Sequence, residues 1–565
     1  MIALPLLGAL LLDEQVNARP ARGERSMVVA EHPIAARVGL EVLRKGGNAA
    51  DAAIATAFAL AVVYPQAGNI GGGGFLLWRG ADGKATSFDF REKAPLAAKP
   101  DMYLDEKGEV RKDASVLGPL AAGIPGSVAG LCFARERLGT KPLAELIAPA
   151  IELAEKGFPV DPHLADDLAE RRKRLERSPD AAAIFLPGGK VPKAGEVLRQ
   201  PDLARTLRAI AEKGRDGFYR GEVAKRLVVG VRSSGGIWSE EDLAQYRAVE
   251  REPIRGTYGG HEILTMGPPS GGGIFLLQSL AILEDLGLKE TGSGSSLSIH
   301  LLAETFKRAF ADRALLLGDE DFVPVPVDAL LSGERATRMR SQVDPYRATD
   351  PQELAAPGNG GKLRPSRREG EHTTHLSIVD SSGNCVSLTT TINDYFGCHS
   401  LAAGTGFLLN NEMDDFVLDP EPGTSPNRIE PGKRMLSSMT PTVVSREGKP
   451  VWVLGTPGGT RIPATLTQVL VNLIDHEMDL SRAIRAPRIH QTWMQATRQG
   501  EYQPDTLEAE PLALAADVRS NLERRGHRIV EKKSTFCSVQ AIAILPDGMR
   551  LGFSDPRRGG TAAGE

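Results

Sequence analysis

Sulfur is scarce in this chain. Four cysteines, Cys132, Cys385, Cys398 and Cys537, stand singly in 565 residues. They are too few for a disulfide framework, and without a Cys-x-x-Cys pair a zinc site built on thiolates is not expected. An excess of one charge is missing as well: Lys and Arg total 68 against 72 Asp and Glu, a formal net charge of −4. With no positive field and no long block of like charges, nucleic acid is not expected as a partner. No apolar stretch reaches the roughly 18 residues of a membrane helix, so no membrane span is expected. The familiar catalytic signatures are absent too. There is no G-x-x-x-x-G-K-[ST], no strand-to-helix G-x-G-x-x-G and no G-x-S-x-G. His261-Glu262 and His476-Glu477 lack the second histidine of H-E-x-x-H. The nucleotide, zinc-hydrolase and serine-hydrolase readings all fail.

What remains is 41% hydrophobic and 25% charged, with 61 Gly and 38 Pro. That is the composition of a globular protein with an adequate core, and its length suggests roughly three to four domains. Met1 to Leu12 is unbroken apolar sequence of the length of a secretory h-region, and Val16-Asn17-Ala18 resembles a cleavage site, though no Lys or Arg precedes Arg19. Residues 1–24 are therefore read as a possible signal, placing the protein in the periplasm or outside the cell; without that signal it is cytoplasmic. Ile34 to Lys45 reads as a helix stopped by Gly46-Gly47. Asn48 can cap a second helix, with Asp51 in its first turn, through AADAAIATAFALAVV, apolar on nearly every face and so expected in the core. Strands are expected at Phe75–Trp78 and Thr86–Arg91, helices at Pro142–Lys156 and Leu203–Lys213, and a linker at Ala348–Gly370. Beyond it, strand patterns separated by turn signals are interrupted by one strong helix, Ile462–Ile474. The alternation points to an α+β layered architecture.

Chemistry concentrates where the linker ends, at Glu371-His372-Thr373-Thr374-His375. The strand Thr374–Asp380 turns through Ser381-Ser382-Gly383 and returns as Asn384–Asn393. With Asp380 paired to Asn384, Thr373 lies opposite Thr391, and Thr389, Thr391 and Asn393 share its face. A slip of one residue reverses this, and threonines also fill strands for their β-propensity alone. A second feature is Val451–Gly455 followed by Thr456-Pro457-Gly458-Gly459-Thr460-Arg461 and a helix. Backbone N–H groups at such a turn suit an anion or a developing oxyanion, or simply make a turn. Asn410-Asn411-Glu412-Met413-Asp414-Asp415-Phe416 and Leu436-Ser437-Ser438-Met439 are further candidates; adjacent carboxylates suit a solvated end or a bound amine.

At these residues the sequence resembles the γ-glutamyltransferases (γ-glutamyl transpeptidases, glutathione hydrolases) of the N-terminal-nucleophile hydrolase superfamily. The segments that carry the resemblance include GLEVLRKGGNAADAA, IGGGGF, DFREKAP, PPSGGG, TTHLSIVD, LLNNEMDDF, LSSMTPT and GTPGGTR, in the family's order. The resemblance implies a four-layer αββα sandwich, made as a precursor that cuts itself between His372 and Thr373 into a large subunit, 25–372, and a small one, 373–565. Thr373 would be the nucleophile and its freed α-amine the base, with Thr391 bonded to the nucleophile and Gly458 and Gly459 supplying oxyanion N–H groups. Arg91, Ser437 and Ser438 would meet the α-carboxylate of a γ-glutamyl group, and Asn393, Glu412 and Asp415 its ammonium. The implied substrate is a small γ-glutamyl compound such as glutathione, the acceptor water, an amino acid or a peptide. No metal or organic cofactor is implied, because amine and hydroxyl complete the chemistry. Alternatives on the same fold are a cephalosporin (glutaryl) acylase or a poly-γ-glutamate hydrolase, and, more remotely, a non-catalytic binding protein. The sequence departs from the family in a short connection between Phe416 and Ser437, without an aromatic-bearing lid, and in Cys398-His399, where small residues are expected.

Overall fold

The computed structural model describes residues 19–354, 366–367, 370, 372–418, 425–493, 495–496, 502–503 and 505–565. Residues 1–18 of the possible signal, the centre of the expected linker and part of the Phe416–Ser437 connection lie outside these residues. Ahead of Thr373 the chain supplies to the two main sheets β1 (Ala21–Gly23), β2 (Met27–Ala30), β3 (Gly73–Arg79), β4 (Ala85–Asp89), β5 (Val249–Arg251), β6 (Ile254–Tyr258) and β7 (His261–Thr265). From Thr373 onward it supplies β8 (Thr373–Val379), β9 (Cys385–Thr391), β10 (Thr442–Arg446), β11 (Lys449–Gly455), β12 (Gln540–Ile544), β13 (Arg550–Ser554) and β14 (Thr561–Gly564). One sheet runs β14-β2-β8-β9-β3-β4-β5 and the other β1-β13-β12-β11-β10-β7-β6. Each mixes strands from both sides of Thr373. The two halves are interleaved rather than set side by side, which is not what three to four separate domains would give.

Strand periodicity sorts the core into layers. Met27, Val29, Leu77, Val379 and Cys385 of the first sheet meet Leu264, Val443, Val453 and Ile542 of the second between the sheets. Their neighbours Val28, Leu76, Ile378 and Val386 face outward, against α1 (Pro33–Arg44) and α2 (Ala49–Val63). On the other sheet Ile263, Val444 and Leu454 face α3 (Gly272–Leu283), α4 (Ser296–Leu316) and α5 (Arg461–Ile474). The architecture is the expected αββα sandwich.

Local chemistry sets the pieces nearest the site. α2 opens on a capping box between Asn48 and Asp51 and all of its residues are buried; losing a buried ring such as Phe58 would cost roughly 3–5 kcal/mol. Asp380, at the end of β8, accepts from Ala49 N at 2.9 Å, placing a carboxylate at the positive end of α2. Asp380 also accepts from Ser382 N and Asn384 N, both at 2.9 Å, so the β8–β9 turn is held by one side chain. The start of the expected linker is tied down: the Thr349 carbonyl accepts from buried Lys307 at 2.6 Å.

Candidate active site

The β8–β9 register is the one expected, Thr373 opposite Thr391 and Val379 opposite Cys385. It brings two hydroxyls and a carbonyl into one chain of hydrogen bonds. Thr373 Oγ1 donates to Thr391 Oγ1 at 3.3 Å, and Thr391 Oγ1 donates to the carbonyl of His372 at 3.2 Å. Thr391 Oγ1 also accepts from Asn393 N at 2.8 Å. Both threonines are buried. Strand alternation stops at Thr391. Asn393 adopts φ 73°, so it reaches the site through a turned backbone rather than through the parity expected of it. Its Oδ1 accepts from Gly370 N at 2.8 Å and its Nδ2 donates to the Asn411 carbonyl at 2.9 Å.

The turn after β11 is the expected glycine turn. Gly458 has φ 137° and Gly459 φ 56°, and a Cβ on Gly458 would lie 2.3 Å from Cys537 Sγ. Only glycine fits both the backbone angle and the space. The carbonyls of Gly458 and Gly459 accept from Arg461 N and Ile462 N at 3.1 and 3.0 Å, starting α5. Among the described residues no acceptor takes the N–H of Gly458 or Gly459.

Arg91 follows β4, its N–H held by Asp89 Oδ1 at 2.9 Å. Its guanidinium, 1% exposed, donates to Glu412 Oε1 and, at 2.5 Å, to Asp415 Oδ2. It reaches the carbonyls of Met435 and Leu436 at 3.3 Å each. Glu92 stands 3.6 Å from it. Burial pushes the Glu412 carboxyl up to about 8 and Glu92 up to about 7, with Arg91 opposing both. Ser437 Oγ accepts from Met439 N at 3.1 Å. The Ser438 hydroxyl is buried with no hydrogen-bond partner among the described residues. The loop that carries these serines lies against the start of α3, where a Cβ on Gly272 would approach the Ser438 carbonyl to 2.4 Å.

The expected residues thus form two groups. Thr373, Thr391 and His372 share one hydrogen-bonded chain, while Arg91, Glu412 and Asp415 form a buried ion cluster beside Ser437 and Ser438. Asn393, through Asn411, joins the second group to the first. A cavity of about 260 Å³ opens at His372 and Gly458, lined also by Glu31, Tyr395, Cys537 and Arg558. Sequence reasoning missed these last four. Arg558 donates to the Thr373 carbonyl at 3.3 Å and lies 3.5 Å from Glu31. Burial pushes Glu31 up to about 7, against the pull of Arg558. Nothing local in the sequence marks Arg558 or Glu31 as a site residue. Cys398 and His399 line a different cavity, of about 290 Å³, with Arg174 and Arg177. Burial pushes His399 down to about 4 and Cys398 up to about 12. Among the described residues no group of three or more His, Cys, Asp or Glu is placed to hold a metal ion.

Known proteins resemble this chain over nearly its whole length. A glutathione hydrolase proenzyme of Pseudomonas sp. (strain A14) is 43% identical over 574 aligned residues, covering 99% of this chain and 97% of its own. An acylase ACY 1 proenzyme of Pseudomonas sp. (strain SE83) is 40% identical over 97% of this chain and 95% of its own. The crystal structure of cephalosporin acylase from Bacillus halodurans superimposes with a TM-score of 0.83 at 30% identity, over 97% of both chains. The family model for gamma-glutamyltranspeptidase matches residues 35–565, and the chain belongs to that family, within the N-terminal-nucleophile hydrolases.

Proposed function

We propose that the protein is a γ-glutamyltransferase and glutathione hydrolase that cuts itself before Thr373 and then works through a γ-glutamyl ester on Thr373. The observation that carries this reading is the Thr373–Thr391–His372 hydrogen-bond chain. In self-cleavage Thr373 Oγ attacks the His372 carbonyl carbon, whose oxygen is already held by Thr391. The C–N bond breaks, the amide nitrogen takes the hydroxyl proton, and His372 is left as an ester on Thr373. Water hydrolyses that ester, giving a His372 carboxylate and a Thr373 with free hydroxyl and α-amine.

In turnover the same hydroxyl attacks a γ-carbonyl, and the α-amine accepts its proton and passes it to the departing amine. An α-amine titrates ordinarily at about 7.7–8.0, near working pH, and sits on the nucleophile's own residue. The N–H groups of Gly458 and Gly459, which meet no acceptor among the described residues, suit the oxyanion. Arg91 offers a planar fork to the substrate α-carboxylate, helped by the Ser438 hydroxyl and by Ser437, while Glu412, Asp415 and Asn393 take the ammonium. Water then yields glutamate, and an amino acid or peptide yields a new γ-glutamyl compound. In the continuous chain Arg91 spends its charge on Glu412 and Asp415, and Gly370 N occupies Asn393. Cleavage before Thr373 is what frees that chain segment from the site.

Thr373→Ala should leave one uncut chain on a denaturing gel; two bands from that variant would remove Thr373 from its role. A second reading is favoured by the likeness to acylases: a glutaryl rather than γ-glutamyl donor. Two carboxylates beside Arg91 suit a donor with an amine, which a glutaryl group lacks. Release from γ-glutamyl- and glutaryl-p-nitroanilide separates the two.

A further inference from the structure

The cavity beside Thr373 is walled in part by the His372 side chain, which stacks on another ring of the wall and so reports what that ring accepts. The His372 imidazole lies nearly parallel to the Tyr395 ring, centroids 3.7 Å apart and planes at 21°. The Arg558 guanidinium stands 5.5 Å from the centre of the same ring, and the Tyr395 hydroxyl meets that of Tyr64 at 3.4 Å. Tyr64 leaves the end of α2 and Arg558 precedes β14, so the ring is fixed by groups that stay with the body of the protein when the chain is cut. His372 is the group that goes. Its departure as a new chain end leaves a flat seat on Tyr395, in the cavity that also touches Gly458.

Position decides what could use that seat. The acyl group of a γ-glutamyl ester is drawn toward Arg91, Glu412 and Asp415, none of which lines this cavity. The amine that leaves, and the amine that later attacks, occupy the opposite side of the acyl carbon. We infer that the seat vacated by His372 is the subsite for the amine component, and that the Tyr395 ring makes it favour flat side chains: dipeptides with N-terminal histidine or phenylalanine over aliphatic ones of equal length. The inference rests on the γ-glutamyl-transfer reading above. An offset-stacked ring pair adds to simple area burial by an amount equal to about threefold to tenfold in affinity. A leucine side chain gains the burial without the stacking.

The test uses self-cleaved protein with γ-glutamyl-p-nitroanilide as donor and His-Gly, Phe-Gly, Leu-Gly or Ala-Gly as acceptor, transfer products being quantified by chromatography. The acceptor kcat/KM for Phe-Gly and His-Gly is expected to exceed that for Leu-Gly by about threefold to tenfold. Tyr395→Phe keeps this ratio and Tyr395→Leu brings it to about one. Equal constants in the wild type, or a preference that survives Tyr395→Leu, overturns the inference. Should Tyr395→Leu fail to cut itself, the wild-type ratio decides alone. A wild-type protein that releases no p-nitroaniline even into water contradicts γ-glutamyl chemistry itself, a result distinct from a flat acceptor series.

Discussion

On one side of Thr373, Arg91 lies buried with the Glu412 and Asp415 side chains bonded to it, and Asn393 is taken by a backbone N–H. On the other, a cavity of about 260 Å³ with carboxylates, guanidinium groups and aromatic rings stands open beside His372. The Arg91 side, where the proposed acyl group binds, is charged and dry; the His372 side, where the proposed amine binds, is open and shaped. A zwitterion entering the dry side meets ions that exchange one partner for another, so little further desolvation is charged to binding. The open side must instead accommodate water and amines of many shapes, which a planar platform and mixed charge can do while favouring flat side chains by no more than about tenfold.

The sharpest way to break this comparison is Gly458→Ala. The added Cβ collides with Cys537, and turnover should fall about 100- to 1000-fold, the cost of an oxyanion donor. Self-cleavage should suffer less, because Thr391 rather than Gly458 holds the His372 carbonyl; equal losses in gel-monitored cleavage and in p-nitroaniline release would contradict that division. Arg91→Lys comes next. Loss of the fork should lower kcat/KM for the γ-glutamyl donor about 100-fold while leaving the ratio between acceptors unaltered. A donor effect under about threefold would move carboxylate recognition away from Arg91.

Arg558→Gln probes the open side. It removes a charged hydrogen bond to the Thr373 carbonyl and should slow self-cleavage about tenfold in a time course of intact mass. The smallest effect is thermodynamic. Burial raises Glu412 to about 8 and Glu92 to about 7 from 4.5, so the folded chain binds protons more tightly than the unfolded one. The stability from these groups is whole below about pH 4.5 and is lost as pH rises through 7 to 8. Uncut Thr373→Ala protein should therefore melt lower at about pH 9 than at about pH 6, and adding Glu412→Gln should narrow the gap. An unchanged gap would mean that Glu412 is ionised throughout.

The grouping on the dry side and the pairing of Thr373 with Thr391 were largely readable in the sequence, the open side hardly at all. A three-residue turn fixed the β8–β9 register, and period-two alternation then carried Thr373 to Thr391. α2 announced its burial by having no polar face, and the glycines after β11 by the turn they make. Arg558 bonds Thr373 across 185 residues of sequence, and Glu31 meets Arg558 only because β2 and β14 are neighbours. No local periodicity encodes such a meeting. Tyr395 sat in plain view two residues past Asn393, yet its role depends on a ring it touches only in the folded, uncut chain.

The interleaving of the two halves has a cost that comes due only when the protein is unfolded. As one chain it folds by a unimolecular process. Once cut, β2 and β3 from one fragment must find β8 and β9 from the other, so the reaction that creates the enzyme turns refolding into a second-order encounter between partners that expose strand edges while apart. Recovery after denaturation should depend on concentration for the cut protein and not for Thr373→Ala. The mature form then persists by the slowness of its unfolding rather than by any ready return.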